Sequence, residues 1–394
     1  MIISMRFSNF YSFAQEASIN FAVGKKPIPS GFDVNLPDIR LNKVLAVVGA
    51  NGSGKTQFIK PLVFLSWFAS SSFLKGDPDS DVPFQPHRLH LEEDTMVEVD
   101  FLLDNQTYRY RLVLNNERIQ FEGLYVKTSS QFSYLFKREK KGETFSFKEK
   151  GFPFPANKAE TLRDNASLLS AAYSYDILEA RQFIDFFKSV ASNVAYMGRR
   201  HFRSEALFHA AESYEKSPRL KARMIEVMGM FDLGLSNVEI KAFKATDKDG
   251  SSEQLYMPIG IHQSADGKAF SLPFLEESSG TQSAFVMLER LLTVLEKGGC
   301  AVIDEIDNDL HPYLIPKIIE WFRFEHTNPH QAQLIFTCHT PEVLNRLQKH
   351  QIYLCEKQQQ ISDAWRLDEV VGVRADDNLY AKYMAGALGA VPEL

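Results

Sequence analysis

Cysteine is scarce in this 394-residue chain: Cys300, Cys338 and Cys355 are the three present, and no C-x-x-C pair occurs. That scarcity excludes a disulfide framework and argues against a zinc hook or a dithiol redox motif. Each cysteine lies in a short apolar run that reads as a buried strand. A cytoplasmic setting is expected. Long hydrophobic runs are missing as well. The most apolar stretch, Pro61–Leu74, is too short to span a bilayer and contains several serines, so no membrane association is expected. An excess of positive charge is also absent. The formal net charge of −6 excludes a surface that attracts nucleic acid everywhere and leaves room for local basic patches alone. The N-terminus has no leader pattern, since Met1–Phe7 alternates as a strand does. No heptad run is long enough for coiled-coil arms, and no internal repeat stands out.

What is present is ordinary globular material, 44% hydrophobic and 24% charged, long enough for two or three lobes. Residues 1–156 are strand-rich. Met1–Phe7 and Ala17–Phe21 read as a hairpin pair, and Lys43–Val48 as a buried parallel strand. An antiparallel meander is expected over Met96–Leu103, Tyr108–Leu114, Ile119–Val126 and Ser133–Arg138, with turn signals at Asp104-Asn105 and Asn115-Asn116. Residues 157–232 take on helical spacing. Residues 233–394 return to strands at Ser236–Phe243, Gln254–Gly260 and Ala269–Phe274. Helix Gly280–Lys297 follows, then strands Cys300–Asp304, Gln333–Thr337 and Ile352–Cys355 alternating with helices Pro312–Arg323 and Pro341–Gln348.

The strongest motif is Gly49-Ala50-Asn51-Gly52-Ser53-Gly54-Lys55-Thr56, which fits G-x-x-x-x-G-K-[ST] between a buried strand and a helix. Its glycines let successive backbone N–H groups point inward around phosphate oxygens. Lys55 is expected to reach the β- and γ-phosphates of ATP and Thr56 to ligate Mg²⁺. The following helix N-terminus adds a favourable dipole, and Gln57 is counted with the nucleotide-binding set. The second motif is Ala301-Val302-Ile303-Asp304-Glu305. An apolar strand delivers Asp304 to its end, where it can hold Mg²⁺. Glu305 can then orient and deprotonate an attacking water. Surface carboxylates at a strand end are the competing account.

Weaker features complete the set. Glu277-Ser278-Ser279-Gly280-Thr281-Gln282 opens an amphipathic helix, where serines also serve as caps. His339 follows an apolar strand, and a lone histidine there is often structural. Asp307-Asn308-Asp309 follows Glu305 closely and suits a subunit contact or a helix cap. Gln85 lies in a loop where a metal-contacting glutamine could sit. The cluster Arg199-Arg200-His201-Phe202-Arg203 could touch nucleic acid or an acidic partner. A solvated face or internal ion pairs explain it equally well. Lys216, Arg219, Lys221 and Arg223 read as an exposed helix face.

The order of phosphate loop, S-S-G-T-Q signature, I-D-E-I-D strand and C-H-T strand end resembles the ABC/SMC-type ATPases. Within these it is similar to the OLD/RecF-like group, and most of all to the stand-alone RloA-like and AriA-like ATPases of bacterial abortive-infection and anti-phage loci. The opening Ser8-Asn9-Phe10-Tyr11-Ser12-Phe13, the signature Glu277–Thr281 and the tail Tyr383–Pro392 carry this likeness. Tyr11 stands where such openings often carry Arg, and the signature is Ser-Ser-Gly-Thr-Gln rather than Leu-Ser-Gly-Gly-Gln. The resemblance implies an α/β ABC-type head, a P-loop mixed sheet plus antiparallel meander with a helical insertion. It implies that Ser278, Ser279 and Gly280 bind ATP held by a second subunit and that His339 senses the γ-phosphate. It further implies a homodimer or higher homo-oligomer. OLD nucleases continue into a TOPRIM domain for which this sequence has no room. A TOPRIM-like nuclease or toxin from the same operon is therefore the expected partner. A RecF-like DNA-binding ATPase is the alternative.

Overall fold

The computed structural model describes residues 1–195, 198–199, 204–230, 234–246, 252–264, 266–309 and 314–391. Strands β1 (Ile2–Ser8) and β2 (Ala17–Asn20) form the expected antiparallel pair. A small hairpin of β3 (Asp33–Asn35) and β4 (Arg40–Asn42) leads into β5 (Val44–Val48) and helix α1 (Lys55–Lys75), which absorbs the apolar stretch Pro61–Leu74. The meander then runs through β6 (Thr95–Leu103), β7 (Gln106–Leu114), β8 (Ile119–Thr128), β9 (Gln131–Lys141) and β10 (Thr144–Glu149). These five join β1 and β2 in a seven-stranded antiparallel sheet ordered β10-β9-β8-β7-β6-β1-β2. Alternation decides its two faces: Val97, Val99 and Phe101 point into the core, and Met96, Glu98 and Asp100 point away.

The helical stretch contains α2 (Ala156–Glu160), α3 (Leu168–Ser174), α4 (Leu178–Lys188), α5 (Ser204–Lys216) and α6 (Pro218–Met230). It also contains three short strands that helical spacing does not announce: β11 (Val190–Ser192), β12 (Val194–Ala195) and β13 (Gly198–Arg199). A three-stranded sheet follows, β14 (Leu235–Thr246), β15 (Ser252–Gln263) and β16 (Ala269–Pro273), and then α7 (Ser279–Lys297). The last part holds β17 (Cys300–Ile303), α8 (Ile306–Asp309), α9 (Ile315–Trp321), β18 (Gln333–Cys338), β19 (Ile352–Gln358), β20 (Ile361–Arg366) and α10 (Leu379–Met384).

The second large sheet is ordered β11-β17-β18-β5-β19-β20, parallel throughout except for the antiparallel β19–β20 pair. The fold is thus α/β: a P-loop mixed sheet beside an antiparallel meander, with a mostly helical stretch that also supplies edge strand β11 of the mixed sheet. Strand β5 divides the core. Leu45 and Val47 pack with α1 and the meander, while Val44, Ala46 and Val48 pack with α7. Both faces are covered, which is why this strand reads as an unbroken apolar run. Among the described residues no helix is long and apolar enough to cross a membrane.

Two expected helices differ from the sequence reading where they are described, the first ending at Trp321 rather than Arg323. Described helix α9 begins at Ile315, and residues 310–313 lie outside the described residues. Pro341–Asn345 forms a 3₁₀ turn in place of an α-helix reaching Gln348. That segment packs on α10 and must soon turn into β19, which favours the tighter winding.

A buried ionic cluster locks the meander to α3. Arg138 and Glu122 are both fully buried and paired at 2.7 Å. Glu122 also accepts from Tyr110 Oη at 2.7 Å, Ser167 Oγ at 2.8 Å and the Leu168 backbone N–H at 2.9 Å. Removing the carboxylate strands a buried guanidinium, so Glu122→Ala should cost about 3 kcal/mol or more, read by denaturant unfolding. A loss below about 1 kcal/mol would show that the pair is not a structural lock.

Candidate nucleotide-binding site

The phosphate loop spans residues 49–54, between β5 and α1. Gly49 passes so close to the Cys355 carbonyl that a Cβ there would collide with it. Gly54 has φ +107° and lies against Ser362, so both its conformation and its surroundings demand glycine. Lys55 Nζ donates to the carbonyls of Gly49 at 2.9 Å and Ala50 at 3.0 Å. Burial lowers the Lys55 pKa, and the nearby Cys355 and Asp304 oppose that shift. Ser53 Oγ and Gln57 Oε1 are buried with no hydrogen-bond partner among the described residues.

The acidic strand end meets this loop directly. Thr56 Oγ1 donates to Asp304 Oδ2 at 2.8 Å, and Thr337 Oγ1 donates to Asp304 Oδ1 at 2.7 Å. The Asn193 side chain bonds the Asp304 backbone twice, Nδ2 to the carbonyl and Oδ1 from the N–H, each at 2.8 Å. Glu305 follows in the left-handed region at φ +48°, its N–H donated to Thr337 Oγ1 at 2.7 Å. A carboxylate residue held there is a strained conformation maintained by its neighbours. Glu305 Oε1 lies 3.3 Å from His339 Nε2, and Oε2 accepts from Asn308 Nδ2 at 2.7 Å. Asp307 Oδ2 accepts from the His339 N–H and from Thr340 Oγ1, both at 2.8 Å.

A cleft of about 860 Å³ gathers most of the expected residues: Asn51, Gly52, Gly54, Lys55, Thr56, Gln57, Gln85, Glu305 and His339. Gly49 and Ser53 lie in the loop that walls it, and Asp304 reaches it through Thr56. Gln85 Oε1 accepts from Arg88 at 3.1 Å, and the Gln85 carbonyl accepts from the Tyr11 N–H at 2.8 Å. The Tyr11 ring also lines the cleft, with Lys60 Nζ 3.4 Å from its centroid. Burial brings Lys60 down to about 8 and pushes Tyr11 up to about 12. The hydroxyl of Thr56 beside the carboxylate of Asp304 is a hard-oxygen pair of the kind that suits Mg²⁺ bound with a nucleotide.

Ser278, Ser279 and Gly280 do not line this cleft. They are exposed at the start of α7, where Ser278 Oγ accepts from the Thr281 N–H at 3.1 Å. Of the basic cluster, Arg199 falls in β13, and Arg200–Arg203 lie outside the described residues. Lys216 and Arg219 are exposed, with Lys216 paired to Glu212 at 2.6 Å, and Lys221 is paired to Glu215 at 2.9 Å. Arg223 reaches the Thr327 carbonyl at 3.3 Å. Sequence reasoning gave no role to Thr337 or Asn193. A polar residue near the buried end of the apolar run Gln333–Cys338 was a usable signal for Thr337. Asn193 has none, because its partner lies 111 residues away.

The family model described as "AAA domain, putative AbiEii toxin, Type IV TA system" matches residues 44–345. That range covers most of the chain, so the protein belongs to this family of AAA-type ATPase domains. No curated protein matches it. Among solved structures, the chain is similar to an SMC head bound to the C-terminal winged-helix domain of ScpA. Identity is 12%, the TM-score is 0.48, and 93% of this chain and 99% of that one are covered. The SMC head domain from Thermotoga maritima matches at 12% identity, TM-score 0.42, with 93% and 98% covered. An Smc head with an extended coiled coil, bound to the C-terminal domain of ScpA derived from Pyrococcus furiosus, matches at 11% identity, TM-score 0.44, with 93% and 97% covered.

Proposed function

We propose that this chain binds and hydrolyses ATP with Mg²⁺ and closes a homodimer over it, as a cytoplasmic switch that controls a separate effector in bacterial anti-phage defence. One observation carries the dimer: Lys55, Thr56, Glu305 and His339 converge on one cleft, while Ser278–Gly280 stand exposed outside it. Such an exposed helix start suits phosphate oxygens presented by a second copy. In this reading Gly49, Asn51, Gly52, Ser53, Gly54, Lys55, Thr56 and Gln57 hold the phosphates. Thr56 and Asp304, with Gln85, hold Mg²⁺, which neutralises phosphate charge when bound. Glu305 takes the proton of the attacking water, and His339 beside it contacts the γ-phosphate.

The effector role is supported by the family description, which names an AbiEii toxin and a type IV toxin–antitoxin system. It is an argument by kinship rather than by geometry. ATP should convert the chain from monomer to dimer by light scattering. Ser279→Arg should still bind ATP by calorimetry yet stay monomeric. A Ser279→Arg chain that dimerises and turns over ATP as the parent does would end the shared-site reading. A TOPRIM-like nuclease or toxin co-purifying from the native operon would support the effector role.

The second reading, a RecF-like DNA-binding ATPase, draws on the outer face of the meander. There Arg6 and Arg111, each nearly half exposed, flank Glu98. DNA-stimulated turnover and a DNA affinity that falls steeply with salt would favour it.

A further inference from the structure

Among the described residues the three-stranded sheet β14–β16 takes no part in the cleft, yet it is tied to the root of the signature. His262, on β15, has its Nε2 2.6 Å from Glu277 Oε1, and both side chains are almost entirely buried. Glu277 immediately precedes Ser278, Ser279 and Gly280. The carboxylate is seated over Gly260 of the same strand, where any Cβ would strike it. His262 in turn stacks on Phe270 of β16, ring centroids 4.9 Å apart and planes 11° from parallel.

Two further bonds act within the first turns of α7. Gln282 Nε2 donates to the Glu277 carbonyl at 2.8 Å, and Ser278 Oγ caps the Thr281 N–H. These fix the loop to its own helix. The His262–Glu277 tie fixes it to a neighbouring sheet. Ser278, Ser279 and Gly280 are themselves exposed, so beyond α7 itself their placement depends on what holds the residue before them. The β14–β15–β16 ladder is made of backbone bonds, so it does not need the His262 imidazole.

We propose that His262 is a positioning residue for the signature, acting through Glu277 so that Ser279 and Gly280 meet the nucleotide of a second copy in a fixed orientation. The inference rests on the shared-site reading given under the proposed function. A misplacement of about 1 Å in such a group is enough to slow a reaction by about a hundredfold.

The test uses the full chain. His262→Ala should leave ATP affinity unchanged by calorimetry and lower turnover at saturating ATP by at least about tenfold. His262→Gln, whose side-chain amide can still donate to Glu277, should recover most of that loss. An equimolar mixture of His262→Ala with Lys55→Ala should regain turnover, because one of its two sites pairs an intact phosphate loop with an intact signature. Ser279→Arg mixed with Lys55→Ala is the control. A His262→Ala chain with normal turnover overturns the proposal. So does a His262→Ala mixture that stays slow while the Ser279→Arg mixture recovers. If neither mixture recovers, the shared site itself is wrong and the proposal falls with it.

Discussion

Lys55→Ala should severely weaken ATP binding: calorimetry should show affinity reduced by at least about a hundredfold, the equivalent of about 2.7 kcal/mol. The ammonium is already drawn into the mouth of the loop by the carbonyls of Gly49 and Ala50. It therefore has little side-chain freedom left to lose when phosphate oxygens arrive. Each charge-assisted bond to a phosphate oxygen contributes about 1.5–3 kcal/mol, so the loss of two accounts for the expected change. Lys55→Arg should fail as well, because a planar, longer guanidinium cannot stand in for a compact point charge in this confined loop. The fold should survive. The bonds made by Lys55 Nζ stay within the loop, and removing a buried cation relieves a desolvation penalty. The variant should therefore melt near the parent's temperature without nucleotide and show no upward shift with ATP. Unchanged affinity would remove Lys55 from the phosphate site.

The parts of the site that could be read in the sequence are those written in contiguous residues. A glycine-rich turn between an apolar strand and a helix is a local pattern, and so is a carboxylate pair ending the strand Cys300–Ile303. The strand interiors of the meander are legible for the same reason, since one buried face imposes a period of two. Strands β10 and β20 escaped because they are edge strands of mixed polarity, Thr-Phe-Ser-Phe-Lys-Glu and Ile-Ser-Asp-Ala-Trp-Arg. Strand β11 escaped because it is three residues long and follows a helix almost directly. What no pattern announces is long-range pairing. Asn193 grips the Asp304 backbone from the bend just after edge strand β11, far away in sequence, and His262 reaches Glu277 across a hairpin. These contacts follow from the order of strands in the sheets, which single-sequence periodicity does not contain.

The same pairing explains why Glu305→Gln should give the other large effect. The side chain leaves the strand end at φ +48° and is held there by Thr337, which bonds both the Glu305 N–H and the Asp304 carboxylate. Its two oxygens are engaged by His339 and Asn308. Glutamine has the same length and can keep one of these contacts through its carbonyl, so ATP affinity should be unchanged. It cannot accept a proton from water. Turnover should therefore fall by about 10²–10⁴-fold, the range expected when a general base is lost. In the proposed cycle, binding and closure come before that step and opening comes after it, so the variant should accumulate as an ATP-bound dimer visible by light scattering. Asp304→Asn should behave differently, since it alters the group bonded to Thr56 and should weaken Mg²⁺-dependent binding itself. A Glu305→Gln chain that stays monomeric in ATP would refute closure for the isolated protein. One that hydrolyses ATP at the parent rate would place the base elsewhere.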